Sequence, residues 1–317
     1  GNVESAAKEF AVSVDFKTKA LAKSPDDKIL IAALADSLSW LASAKLQLGQ
    51  LSEAEALSAK ELALMLSLHN ASPNDMRWFK PLASAWLHQA EAKQAIGDIA
   101  STTTSLKSAH KLLQVIVEKD TSNKIWQRTL YITELRMFDL SSTTFSKDQA
   151  LASLDKLNSA LSSLSTLDPK KLNVQMLLAG VEQRRALIQL HHGNAKDAAM
   201  TLDPALRNLQ KIYAAAPTDQ MIRNFLLDAL LLQADVSFAI NNTSAAENSC
   251  TEAQKVLEPL VKNSADYRVL APWVKTAVCL NKMEQAAVAQ NFLKKISFHD
   301  VTYLQYLSTH RNKKANL

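Results

Sequence analysis

The sequence predicts an all-α fold: a right-handed α-solenoid of antiparallel helical hairpins, with a repeat of 48 residues and about 13 to 14 helices. Three observations predict it. Gly49, Gly97 and Gly193 fall on multiples of one 48-residue spacing, each at a reversal between two apolar-periodic stretches. Pro25, Pro73, Thr121, Pro169 and Pro217 keep the same spacing and mark where one hairpin gives way to the next. The composition, 47% apolar with only five glycines and rich in alanine and leucine, favours helix. Few segments alternate with the period of two that a half-buried strand requires.

Residues 3–22 read as the second helix of a hairpin, because Ala6 stands one repeat before Ala54; Val3, Phe10, Val14 and Leu21 would form its buried face. The opening Gly1-Asn2, without methionine, reads as the scar of a cleaved tag on a fragment of a longer chain. Full repeats are expected at 25–72, 73–120, 121–168, 169–216 and 217–264, and residues 265–317 as a shortened capping repeat with a C-terminal helix. All would belong to one superhelical domain.

Within each repeat, proline stops one helix and can open the next, where its missing N–H costs nothing. Asp26, Asn74, Ser122 and Thr218 follow it and can cap that helix. The first helix carries a constant leucine: Leu34, Leu82, Leu130, Leu178 and Leu226. A small-residue column follows at Ala42, Ala90, Phe138, Ala186 and Ala234. The second helix opens on Ala54, Thr102, Ala150, Ala198 and Ala246. It buries Met65, Leu113, Leu161, Leu209 and Leu257, and one turn on Leu68, Ile116, Leu164, Ile212 and Leu260. Small residues let helices approach, and large ones fill the space between them.

Two regions depart from the pattern. Ser141 to Ser146 has no glycine and predicts a looser loop. Asn281 comes eight residues early, so the last first-helix is shorter. A helix over Val301 to Ser308 would close the apolar end, with Phe298, Tyr303 and Tyr306 as its lid.

These residues resemble the tetratricopeptide repeat. Gly49, Ala54 and Pro73, then Gly97, then Gly193, Ala198 and Pro217 match that family's small residue before the turn, alanine at the crossing and proline after the second helix. The family repeat is about 34 residues, so each helix here is longer by roughly two turns. The resemblance implies a scaffold that binds protein or peptide along its concave face. The longer unit, with Asn74 to Trp78 and Ser122 to Trp126 at unit starts, also resembles repeats C-terminal to the membrane span of some bacterial winged-helix regulators and serine/threonine kinases. That likeness implies a periplasmic or other extracytoplasmic sensing or docking region of a signalling protein.

Several classes of chemistry find no support. No Gly-rich phosphate loop, G-x-S-x-G or H-E-x-x-H motif and no zinc-like Cys/His spacing occurs, so neither an enzyme nor a bound metal or cofactor is expected. His191 and His192 are adjacent and would point roughly 100° apart on a helix, a poor chelate. The net charge of +5 is modest and scattered, apart from Arg311, Lys313 and Lys314, which argues against nucleic-acid binding. No apolar run is read as reaching the roughly 20 residues that span a bilayer. Cys250 and Cys279 should lie toward the same end of neighbouring antiparallel helices. An exported chain could join them and a cytosolic one would keep both reduced; Cys250, in the column of Leu106, Leu154 and Leu202, could equally be a buried small hydrophobe.

The candidate binding face lies on the first helices, off the buried stripe. Offsets of four, three and four keep one helical face. That face carries Trp40, then His88 and Glu91, then Arg136 and Asp139, then Arg184 and His191. Arg136 and Arg184 share one column about 10 Å apart. They could hold an acidic peptide or a C-terminal carboxylate, or be ordinary solvated arginines paired with Glu134 and Glu182. Trp78 and Trp126 are expected to act as packing wedges.

Overall fold

The computed structural model describes residues 2–141, 145–167 and 172–315; Ser142, Thr143 and Thr144 of the expected loose loop, and Pro169, lie outside the described residues. So do the side chains of Arg311, Lys313 and Lys314. Among the described residues there is no strand. The helices are α1 (Val3–Leu21), α2 (Lys28–Gln47), α3 (Leu51–Ala71), α4 (Phe79–Ala95), α5 (Ile99–Lys119), α6 (Lys124–Ser141) and α7 (Lys147–Leu167). They continue as α8 (Leu172–His191), α9 (Ala195–Ala215), α10 (Gln220–Ala239), α11 (Thr243–Val261), α12 (Tyr267–Cys279), α13 (Met283–Lys295) and α14 (Val301–Ala315). A single 3-10 turn, Met76–Trp78, leads into α4.

The chain folds into two compact units. One holds Gly1–Thr133, Asn263–Ala271 and Gln290–Tyr306; the other holds Glu134–Lys262, Pro272–Ala289 and Leu307–Leu317. In the first unit α1 packs on α2, α2 on α3, α3 on α4 and α4 on α5, with α2 also touching α4. In the second, α7 to α11 pack in the same consecutive way, with α8 against α10.

The columns of the sequence become the core. Ala54, Thr102, Ala150, Ala198 and Ala246 are all buried, as are Met65, Leu113, Leu161, Leu209 and Leu257. Leu34, Leu82, Leu130 and Leu226 are buried too. Leu178 is only half-buried, because α8 turns Met176 and Leu177 inward instead. Leu260, in the last turn of α11, is 37% exposed. On α1, Ala7 is buried while Val3, Phe10 and Val14 are partly so. Contrary to the expectation of no such run, the helix α2 is long and apolar enough to cross a membrane by length and composition. Its apolar residues Leu34, Leu38, Leu41 and Leu46 are buried against α1 and α3, the place of a core helix.

Among the described residues, five hairpin turns share one hydrogen-bond pattern. Gly49, Gly97, Gly193, Asn241 and Asn281 all have positive φ. After each, the next amide reaches five residues back, as in Gln50 N to Lys45 O at 2.9 Å and Lys282 N to Ala277 O at 2.8 Å. This left-handed cap satisfies carbonyls that the helix end leaves open. The N-caps differ from expectation by one residue. Asp27, Asp75 and Asp219, rather than Asp26, Asn74 and Thr218, have the extended backbone a cap needs, and their carboxylates accept amides of the following turn.

In the first unit, late segments of the chain dock on early turns. Ser297 has a positive φ and Phe298 N closes on Leu293 O, which frees His299 N to donate to Ala95 O at 2.9 Å. Ala95 is the last residue of α4, so its carbonyl is one of the four that no intrahelical amide reaches. Gln94 Nε2 donates to Asp300 Oδ2 at 3.1 Å beside it. Phe298 stacks on Tyr267 at 4.9 Å and leans on Tyr303 at 5.3 Å.

Candidate binding site

The pairing of α2 with α4 brings parts of the expected face together. Ala35 and Ala85 are buried in one cluster there, and such small residues permit close approach. Off that seam opens a cleft of about 480 Å³ in the first unit. Asp36 and Trp40 of α2 and His88 of α4 line it, with Glu61 of α3, Lys80 of α4 and Trp126 of α6.

Trp40 is 55% exposed. Its ring is braced from behind by Phe10, 6.0 Å away and inclined by 17°. A large aromatic face held still and left open is the kind of anchor that binding surfaces use. Lys80 Nζ lies 5.8 Å from the centre of the Trp126 ring, a cation–π arrangement. Trp126 is therefore half-buried in the wall of the cleft, whereas Trp78 is buried as a wedge.

Glu61 is a buried carboxylate, 4% exposed. His88 Nδ1 donates to both of its oxygens, at 3.0 and 3.1 Å. Burial pulls the His88 imidazole toward neutrality, but the Glu61 hydrogen bond and charge, with Glu91 further off, outweigh it and hold its pKa above the ordinary value. Bonded to both oxygens of a buried carboxylate, the imidazole is held in one orientation on the cleft wall.

A smaller recess of about 120 Å³ continues along Ser43, His88 and Glu91. Glu91 there accepts from Tyr267 Oη at 3.2 Å and from Arg268 Nη1 at 3.3 Å. Burial and the Glu91 charge push the Tyr267 phenol well above its usual range. Arg268 is also paired with Asp266 at 2.9 Å.

The remaining candidates belong to the second unit. Arg184 donates Nε and Nη2 to the two oxygens of Asp139 at 2.7 and 2.6 Å, and Nη1 to Gly180 O at 3.0 Å. Its guanidinium lies 5.9 Å from the Phe225 ring. Arg184 thus straps α6 to α8 and meets α10, so the expected clamp of Arg136 and Arg184 on an acidic guest loses one arm to the fold. Nor is Glu182 its partner: Glu182 pairs with Arg185 at 3.2 Å. Arg136 is half-buried. His191 is exposed, and partial desolvation and the neighbouring His192 hold its pKa down against the pull of Asp235. Among the described residues no cluster of three or more His, Cys, Asp or Glu could hold a metal ion.

Sequence reasoning missed Glu61, Lys80 and Trp126. A signal for Glu61 was present. Its column in the later repeats reads Ala109, Leu157, Ala205 and Ala253, all buried. A carboxylate in an otherwise apolar core column marks a place where the core admits charge, which is costly unless a partner is supplied. Lys80 and Trp126 meet only through folding, from helices 46 positions apart in the numbering.

Cys250 of α11 and Cys279 of α12 form a disulfide in the second unit, with Cα atoms 6.2 Å apart. They pack with Leu231, Ala234 and Ala246.

Hairpins packed in sequence, with buried columns recurring in each, define a helical-repeat protein. No protein-family model matches the chain, and no curated protein matches its sequence. Among solved structures it is similar to BtubC (BKLC) from P. vanneervenii, with a TM-score of 0.53 at 16% identity, over 82% of this chain and 92% of that one. It is also similar to a tetratricopeptide repeat protein from Parabacteroides merdae, with a TM-score of 0.51 at 12% identity, over 98% of each chain. These likenesses show the fold: all-α, and tetratricopeptide-repeat-like.

Proposed function

We propose that this protein is a non-catalytic scaffold that binds a protein or peptide partner along its first-helix face, with the α2–α4 cleft as the seat. The observation that carries this reading is the open, braced Trp40 in a cleft whose other side is a fixed His88–Glu61 pair. An exposed aromatic with a rigid polar surround supplies contact area at little ordering cost. The tetratricopeptide-like fold supports it as an analogy only.

The test is selection of linear dodecapeptides on the 317-residue chain, followed by titration of the chosen peptides. Trp40→Ala, at an exposed position, should keep the helical content and melting temperature and weaken binding at least tenfold. Peptides that bind both proteins equally would contradict the cleft as the seat.

A second reading concerns compartment. The Cys250–Cys279 disulfide favours work in an oxidising space, such as an extracytoplasmic region of a larger signalling protein. Alkylation of the protein in intact source cells before lysis tests this. Labelling of both thiols in the native population would count against it.

A further inference from the structure

We propose that the guest of the α2–α4 cleft is a lysine or arginine side chain of the peptide partner, its cation over Trp40 and against Asp36. This rests on the peptide-binding reading above and specifies its chemistry.

The charges of the cleft are nearly all spoken for from within. Glu61 holds His88. Glu91 holds Arg268. Lys80 lies over Trp126. Asp36 is the exception: it is exposed on the cleft wall, and among the described residues no cation is paired with it. Trp40 stands four residues after Asp36 on the same helix, so carboxylate and aromatic share one face. A cation set there gains the ring's negative face and a counter-charge together.

Competing guests fare worse by the same physics. An apolar side chain would desolvate Asp36 without pairing it. An acidic one would meet the unpaired Asp36 as a like charge. The cleft already accommodates one ammonium over a tryptophan, at Lys80. The adjoining recess already accepts an arginine, Arg268 of this chain, beside the aromatic Tyr267.

The experiment uses the selected dodecapeptides. Enrichment of arginine or lysine is expected at one position. Replacing that arginine by citrulline, its neutral isostere, or that lysine by norleucine should weaken binding at least tenfold to the unaltered protein. With Asp36→Asn the same replacement should cost threefold or less, while circular dichroism shows an unchanged fold. Binding should also weaken as salt is raised. Peptides that need Trp40 yet tolerate the neutral replacement, or that carry Asp or Glu at the enriched position, would overturn this inference and leave the binding site standing. Failure to select any peptide whose binding needs Trp40 would overturn both.

Discussion

At the scale of single residues the most informative pair is His88 with Glu61. The imidazole is held above its ordinary pKa by a carboxylate that is itself buried. A His whose pKa is raised on folding contributes stability that is fully present below about pH 6.5, its unfolded value. That contribution fades as the pH rises through the higher folded value. Titration of the His88 ring by NMR should therefore give a midpoint above 6.5, and Glu61→Gln should bring it down. A midpoint at or below the ordinary value in the unaltered protein would contradict the ion pair. Two glycines offer a second comparison. Gly97 and Gly193 both have positive φ, but a Cβ on Gly97 would lie 2.7 Å from the His299 carbonyl oxygen, while one on Gly193 meets nothing within 4 Å. Gly193→Ala should cost about 1 kcal/mol for the left-handed backbone alone. Gly97→Ala should cost distinctly more, because the docked backbone of His299 must also move. Equal losses in denaturant melts would mean that His299 does not sit on that turn. Of these features, the glycines were legible in the sequence as reversals on a common spacing. The contact with His299 was not, since it joins positions about two hundred residues apart and leaves no periodic trace.

At the scale of elements, the hairpins follow from local chemistry. Left-handed caps end α2, α4, α8, α10 and α12, aspartates open several of the helices, and alternating small and large columns set the packing. All of that recurs within the span of one unit, and a recurrent pattern can be read without coordinates. What could not be read is which polar residues a helix spends on its neighbours. Arg136 and Arg184 look alike in sequence, one column and one repeat apart. Asp139 takes Arg184 because α6 and α8 bring them within hydrogen-bond distance. Arg184→Met should therefore lose about 2 kcal/mol of stability, in the range of charge-assisted hydrogen bonds whose partner is left behind. It should leave binding of the selected peptides unchanged within twofold. A peptide affinity that falls tenfold with no loss of stability would return Arg184 to the binding surface. Gly180 belongs to the same joint. A Cβ there would stand 2.3 Å from the edge of the Phe225 ring, so the absence of a side chain lets α8 meet α10.

At the scale of the whole molecule, each unit has its own means of holding late segments in place. In the first unit, His299, Asp300 and Tyr267 bond to the end of α4. In the second, the Cys250–Cys279 disulfide ties α11 to α12 across 29 positions. Closing a loop of that size should stabilise the folded state by about 3.5 kcal/mol. Cys250→Ala with Cys279→Ala should lower the melting temperature accordingly, and reductant should have no effect on that variant. An unaltered protein whose melting is indifferent to reductant would show that the bond carries none of the stability.

We infer that partners are held at the cleft between α2 and α4. Hydrogen–deuterium exchange with a selected peptide bound tests it most directly, since it reads every segment at once. Slower exchange is expected in peptides covering residues 32–43 and 80–91, with α8 to α11 unchanged. Protection confined to the second unit, with the α2 and α4 segments exchanging as in the free protein, would contradict it.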